Sequence, residues 1–373
     1  MKFEVLHQSS KSRARLGKIH TPHGTIDTPN FVAVGTNGTL KALDNKTVHE
    51  IGLQLMFCNT YHLLLQPGTD VVRDAGGIHT FINRSLPIIT DSGGFQVFSL
   101  AYGSVANELK SRGTKKTDGT VLKITEDGVL FRSYRDGRKI LLTPESSIEA
   151  QKNLGADIII PFDELPPYHI DRKALVESLD RTHRWEKRSL EAHLKNPQGQ
   201  AMYAVIHGGI DPELRRKSCE VLTQLDFDGF AIGGSLGKTK EEMIEMLTNA
   251  LPLLPSHRPN HLLGIGDLTS IAACIPLGID TFDSSYPTRA ARHGMAFSLQ
   301  GAINLTKGSQ SSFFQPIDAN CSCYTCRHFT VAYLSHLFKA REITALTLTT
   351  IHNLHFMVQL MSSYREAIAS DRI

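Results

Sequence analysis

Residues 203–234 read YAVIHGGIDPELRRKSCEVLTQLDFDGFAIGG, and the fold turns on this stretch. The apolar run Tyr203-Ala204-Val205-Ile206 ends at His207, Asp211-Pro212 places a capping side chain before a proline at a first helical position, and the run Phe230-Ala231-Ile232 ends at Gly233-Gly234. An apolar run without polar alternation suits a strand covered on both faces, so strand, capped helix and second strand make one parallel βαβ unit. Working outward, similar runs occur at 31–34, 53–57, 87–89, 158–162, 262–265 and 279–282, which brings the number to eight. Thr143-Pro144, and Thr239 with Glu242 three residues later, mark further helix starts, and Gly155 marks a helix stop. Eight strands alternating with helices predict an α/β protein built as a (β/α)8 TIM barrel, with a doubly wound sheet as the alternative.

The chain has 373 residues, of which 41% are apolar and 21% charged, enough for a sizeable core and outside the range of disordered chains. No run of about 18 uncharged apolar residues occurs, and Met1-Lys2-Phe3-Glu4 opens no apolar leader, so neither a membrane span nor secretion is expected. Forty basic and 37 acidic side chains leave a net charge of +3, too even to imply a polyanionic partner from composition. Three of the six cysteines crowd into residues 321–326, while Cys58, Cys219 and Cys274 stand apart in apolar stretches. That is metal spacing rather than disulfide spacing, and it points to a reducing, cytoplasmic setting.

Residues 101–142 interrupt the alternation. Asp-Gly pairs at 118, 127 and 136 separate short apolar segments, the local signal of hairpins, so a small antiparallel insertion is expected. It carries nine Lys or Arg against five acids, which suits either a solvated face or phosphate contact. Further on, Cys321, Cys323 and Cys326 are followed after 25 residues by His352. Three thiolates and an imidazole complete a tetrahedral zinc site with no open position, a structural rather than catalytic metal. The expected organisation is a catalytic barrel over residues 1–300, including the insertion, and a zinc-binding subdomain over residues 301–373.

In a barrel of this kind, chemistry sits at the C-terminal ends of the strands. The residues just past the runs are Asn59, Asp91, Asp163, His207, Gly233 with Gly234, Gly264 and Asp283. Capping is the ordinary fate of a single Asp at a strand end. Two carboxylates facing one sugar, however, are the equipment for breaking a glycosidic bond: one attacks or shields the anomeric carbon while the other manages the leaving group's proton. Asp91 and Asp283 are the candidates. Asp163, beside Glu164, could accept hydrogen bonds from a flat heterocycle, and Gly233-Gly234 lets backbone approach a planar ligand.

The chain also carries Asp91-Ser92-Gly93-Gly94-Phe95-Gln96, Phe162-Asp163-Glu164, Phe282-Asp283, Pro287-Thr288-Arg289 and Thr350-Ile351-His352-Asn353-Leu354-His355-Phe356. With the Cys3His spacing, these resemble the bacterial queuine tRNA-ribosyltransferases, or tRNA-guanine transglycosylases, from about residue 3 to the C-terminus. The resemblance implies a zinc-bearing barrel of the queuosine pathway that exchanges the wobble guanine of GUN-anticodon tRNAs for a 7-deazaguanine base. It assigns Asp283 as the nucleophile on C1', Asp91 as the proton carrier, Asp163 as reader of the base's N1 and amine, and Gly234 backbone as donor to its carbonyl. By the resemblance Ser92 and Phe95 match pocket-lining positions, Arg289 and Arg292 match phosphate-facing ones, and family members usually form homodimers. From their places at strand ends Asn59, His207 and Gly233 are further pocket candidates, and Lys339 and Arg341 are further basic residues near the zinc segment.

Three positions depart from the bacterial pattern: Leu165 replaces a cysteine, His207 replaces a glutamine, and Gly233-Gly234-Ser235-Leu236-Gly237-Lys238 is one residue shorter than the usual loop, with Lys for Glu. All three touch the base pocket; the incoming 7-deazaguanine base is preQ1 or queuine, and the shortened loop with its lost acid points away from the aminomethyl precursor preQ1 toward the larger queuine. Competing readings are a non-catalytic tRNA-binding subunit of the same fold, a zinc hydrolase barrel and a sugar hydrolase. Presence of both acids speaks against the first, and a closed metal shell against the second.

Overall fold

The structure, a computed structural model, describes residues 1–102, 121–168 and 170–373. Eight parallel strands close into a ring: β1 (Asn30–Val34), β2 (Met56–Cys58), β3 (Ile88–Thr90), β4 (Ile158–Ile159), β5 (Ala201–Ile206), β6 (Gly229–Ile232), β7 (Asn260–Leu262) and β8 (Thr281–Ser284), with β8 pairing back onto β1. The barrel is therefore the architecture, and the doubly wound alternative falls. Each apolar run overlaps one strand, although β7 starts at Asn260, two residues before its run, and leaves Gly264 beyond the strand.

Side-chain alternation sorts the strands. Val32, Phe57, Ile89, Ile158, Tyr203, Val205 and Ala231 pack in one cluster inside the ring, whereas Met56, Cys58, Ile88, Ile159, Met202, Ala204, Ile206, Phe230 and Ile232 pack outward into the helical layer. Ile19 and Ile26 join the inner cluster from a three-stranded antiparallel sheet (Lys2–Gln8, Arg15–Thr21, Gly24–Thr28), which plugs the barrel floor. This sheet was absent from the sequence reading. A buried ion pair, Arg15 Nη2 to Asp280 Oδ2 at 2.6 Å, ties it to the residue preceding β8.

The helices begin where expected. Thr143 accepts from Ser146 N and closes a capping box ahead of Pro144–Leu154, and Asp211 caps Pro212–Leu222. Thr239 accepts from Glu242 N, but Glu242's carboxylate turns to Lys238 N instead of completing a reciprocal box. Within the insertion, Val121–Ile124, Val129–Arg132 and Lys139–Leu142 form an antiparallel sheet turning at Asp127-Gly128 and Asp136-Gly137. Residues 101 and 102 finish the helix Gly94–Tyr102, while 103–120, with Asp118-Gly119 and four of the nine basic residues, lie outside the described residues. The sheet's Val129, Phe131 and Leu142 pack on Tyr61, Phe162 and the buried Trp185, and its Lys123, Arg132, Arg135, Arg138 and Lys139 stay exposed.

The final helix, Ile343–Ala369, lies against Tyr286–Arg292, against Asn45–Ile51 and against β1. Residues after 300 thus carry the Cys3His cluster and also fill the helical ring between β8 and β1. No helix among the described residues is long and apolar enough to cross a membrane.

Candidate active site

Inward-facing positions recur every second residue, so the alternation that buries Phe57, Ile89, Val205, Ala231 and Thr281 also turns Asn59, Asp91, His207, Gly233 and Asp283 toward the barrel axis at its C-terminal rim. Asp91 and Asp283 stand three of the eight strand steps apart around the ring and are only 8% and 7% exposed.

Their surroundings differ. Asp91 Oδ1 accepts from Thr60 N at 2.8 Å and Gly93 N at 3.2 Å, and Oδ2 from Asn59 Nδ2 at 2.6 Å and Gln96 Nε2 at 2.9 Å. Burial pushes this carboxyl up to about 6, against the pull of those four N–H donors, which favour the ionised form. Asp283 Oδ1 accepts from Gly264 N at 2.9 Å and from His261 Nε2 at 3.1 Å, while His261 Nδ1 meets Thr281 Oγ1 at 2.8 Å.

A third acid bridges two strand ends. Asp163 Oδ1 accepts from Ser92 Oγ at 3.1 Å, and Oδ2 lies 2.8 Å from His207 Nε2. The glycines of Asp91-Ser92-Gly93-Gly94 follow from this crowding: Gly93 takes φ +83°, and a Cβ on Gly94 would stand 2.9 Å from Asp163 O. Gly234, at φ +74°, would drive a Cβ to 2.8 Å from His207 Nδ1. Phe95 is half-exposed at the start of its helix. Beside His207 and Gly234 a cavity of about 490 Å³ opens between Glu164, Tyr168, Gly209 and Ser235. Asp91 and Asp283 lie outside its walls. Arg289 is exposed, while Arg292, one helical turn on, has a buried Nη1 without a partner among the described residues and a guanidinium held below its usual range by burial and by Arg289.

Behind the rim, Sγ of Cys321, Cys323 and Cys326 lie 3.8, 3.6 and 3.3 Å from His352 Nδ1. Zn–S bonds of about 2.3 Å and Zn–N bonds of about 2.0–2.1 Å at tetrahedral angles demand spacings of roughly 3.6 Å, so the four could hold one metal ion. His352 Nε2 sits 2.7 Å from Phe297 O, which leaves Nδ1 as the lone-pair nitrogen facing the thiols. Asn353 accepts from Phe297 N and donates to Pro287 O and Met295 O, linking the cluster to the helix carrying Arg289 and Arg292.

Sequence reading missed Thr60, Gln96, His261 and Arg215. Only Gln96 lay inside a motif; the others serve through contacts between segments distant in the chain.

Paired carboxylates in unlike surroundings at the mouth of a (β/α)8 barrel suit sugar-bond chemistry, the chemistry of glycosyl-transferring barrel enzymes. Comparison with known proteins narrows the class. The family model for queuine tRNA-ribosyltransferase matches residues 9–373. A queuine tRNA-ribosyltransferase of Protochlamydia amoebophila is 73% identical over the whole of this chain and 96% of its own length, and those of Chlamydia caviae and Chlamydia trachomatis are 55% identical over the full length of both chains. The chain belongs to the queuine tRNA-ribosyltransferase family and is a tRNA-guanine transglycosylase of queuosine modification.

Proposed function

We propose that the enzyme exchanges the wobble guanine of GUN-anticodon tRNAs for a 7-deazaguanine base by double displacement. The observation that carries this is the pair Asp91 and Asp283, inward at one rim, three strand steps apart, with different hydrogen-bond environments. Asp283 attacks C1' of the target ribose as the C1'–N bond to guanine breaks, and Asp91 protonates the departing base. The incoming base then loses its N–H proton to Asp91 and attacks C1', displacing Asp283; two inversions give retention. Asp163 reads the base's N1 and amine, and the Gly234 amide meets its carbonyl, within a pocket completed by Asn59, Ser92, Phe95, His207 and Gly233. An anticodon loop is single-stranded, so splaying out the target base is cheap. Denaturing-gel capture of a tRNA adduct tests the scheme: the native chain traps tRNA and Asp283→Asn does not, whereas equal trapping overturns the nucleophile.

The acceptor tRNA is held at Arg289 and Arg292, with Lys339 and Arg341 nearby in sequence to the metal segment; the unpaired Nη1 of Arg292 supports an anion there. Cys321, Cys323, Cys326 and His352 hold one structural zinc, and the donor set and its spacing support that metal. When bound, the ion supplies a cross-link between the loop 321–326 and the last helix. Tyr324 and Tyr333, about half-exposed in a chain of ring contacts with His328, Phe329 and His336, support a homodimer that covers this aromatic face in the cytoplasm.

Queuine, rather than preQ1, is the base we assign. The cavity lined by His207, Gly234 and Ser235 offers room for a larger substituent beside the base-reading groups, whereas Leu165 packs away from it against the cluster of Phe131, Phe162 and Trp185. Labelled bases offered singly decide it: preference for preQ1 overturns the assignment.

A further inference from the structure

Arg215 is 1% exposed, and no salt bridge joins it to a carboxylate among the described residues. Instead its guanidinium ends on backbone carbonyls: Nε on Gly209 O at 2.7 Å, Nη1 on Ile206 O, and Nη2 on Gly233 O at 3.0 Å and Ser235 O at 2.8 Å. A buried cation without a counter-ion is expensive, and burial holds this guanidinium down to about 10. Four carbonyl dipoles compensate it, and they come from both loops that frame the base pocket, after β5 and after β6.

The geometry points to Arg215 as a positioning residue that orients and strengthens the Gly234 amide as donor to the base's carbonyl, an inference that rests on the assignment of that amide above. Gly233 O and Gly234 N–H are the two ends of one peptide unit. A charged donor on the oxygen polarises the unit and makes its N–H a stronger donor, the cooperative effect of hydrogen bonds in series. The same contact fixes the plane of that peptide, and the hold on Ser235 O fixes the next turn of the loop. Gly208 allows the supporting helix Pro212–Leu222 to come this close, since a Cβ there would stand 2.6 Å from Arg215 N. One turn along the same helix, Ser218 Oγ accepts from His207 N at 3.1 Å, so Arg215 and Ser218 together set the backbone of both pocket loops.

The test uses the full-length enzyme, full-length tRNA and two bases, guanine and 2-aminopurine, which lacks the carbonyl oxygen and, with it, the N1 proton assigned to Asp163; only the carbonyl part of the preference should respond to Arg215. Native enzyme should bind guanine better than 2-aminopurine. Arg215→Lys keeps the charge but cannot reach four carbonyls; it should raise KM for guanine about three- to tenfold, the span of one neutral hydrogen bond, while KM for tRNA holds within about twofold. The preference over 2-aminopurine should shrink by the same factor. Should Arg215→Lys fail to accumulate as folded protein, Arg215→Gln, which keeps a two-hydrogen amide donor, takes its place. A fall in kcat alone, with KM and base preference unchanged, marks a merely structural role and overturns the inference. Lack of preference in the native enzyme overturns the Gly234 reading itself, and the inference with it, so the two failures are distinguishable.

Discussion

His261 and Asp283 form a stacked pair of inward positions on neighbouring strands: the imidazole Nε2 lies 3.1 Å from the carboxylate Oδ1, and the opposite nitrogen is held by Thr281 Oγ1. With Gly264 N as the second donor, Asp283 is fixed through one oxygen, and none of the hydrogen bonds described above engages its other oxygen. A nucleophilic carboxylate works best when its rotamer is set before substrate arrives.

Removing that support should therefore slow chemistry without weakening RNA binding. His261→Phe is expected to lower kcat about ten- to hundredfold, the worth of a hydrogen bond to a charged group, with KM for tRNA unchanged. Steady-state exchange at saturating tRNA measures it. A raised KM for tRNA at full kcat would place His261 elsewhere in the scheme.

Asp91 titrates near 6 in the folded chain because burial outweighs its donors. In the proposed double displacement the ribosyl-enzyme forms with Asp91 protonated, so its formation should slow as pH rises from about 5.5 to 7.5 in single-turnover trapping, and Asp91→Asn should flatten that profile. The sign for stability runs the same way. Between the unfolded carboxyl's range near 4 and the folded value of about 6, only the folded chain holds the proton, so this contribution is complete at low pH and lost as pH climbs through 6. Asp91→Asn should remove it, which denaturant midpoints across that window would show.

His207 occupies one oxygen of Asp163 while Ser92 holds the other. His207→Ala frees the acid to turn and should raise KM for the base about tenfold, leaving KM for tRNA in place. Base titrations at fixed tRNA check this, and an unchanged KM would remove His207 from base recognition.

Loss of a residue of the Cys3His cluster should reach the helix Tyr286–Arg292, to which we assign RNA contact. His352→Ala is expected to lose its stoichiometric metal by elemental analysis, to melt roughly 5 °C or more lower, and to raise KM for tRNA, because residue 353 ties the last helix to Pro287 and Met295. Full metal content in His352→Ala would contradict the ligand set.

Arg292→Ala should weaken tRNA evenly across substrates and reduce the salt slope of binding by about one. Binding isotherms at several salt concentrations read both quantities.

By itself, the amino-acid sequence determined the barrel, because strands covered on both faces must be apolar throughout and such runs stand out between capped helices. It also determined the cysteine cluster, since three cysteines within six residues need no folding to be neighbours. It was silent on the floor sheet, whose half-exposed strands alternate weakly, and on the supports of the site. His261 reaches Asp283 only because two parallel strands pair in a particular register, and Arg215 reaches Gly233 only because a helix crosses behind two strand ends. Contacts of that kind depend on distances between remote segments, which composition and spacing do not encode. The tertiary structure alone decided which polar groups hold each acid, and through burial it decided where Asp91 gives up its proton.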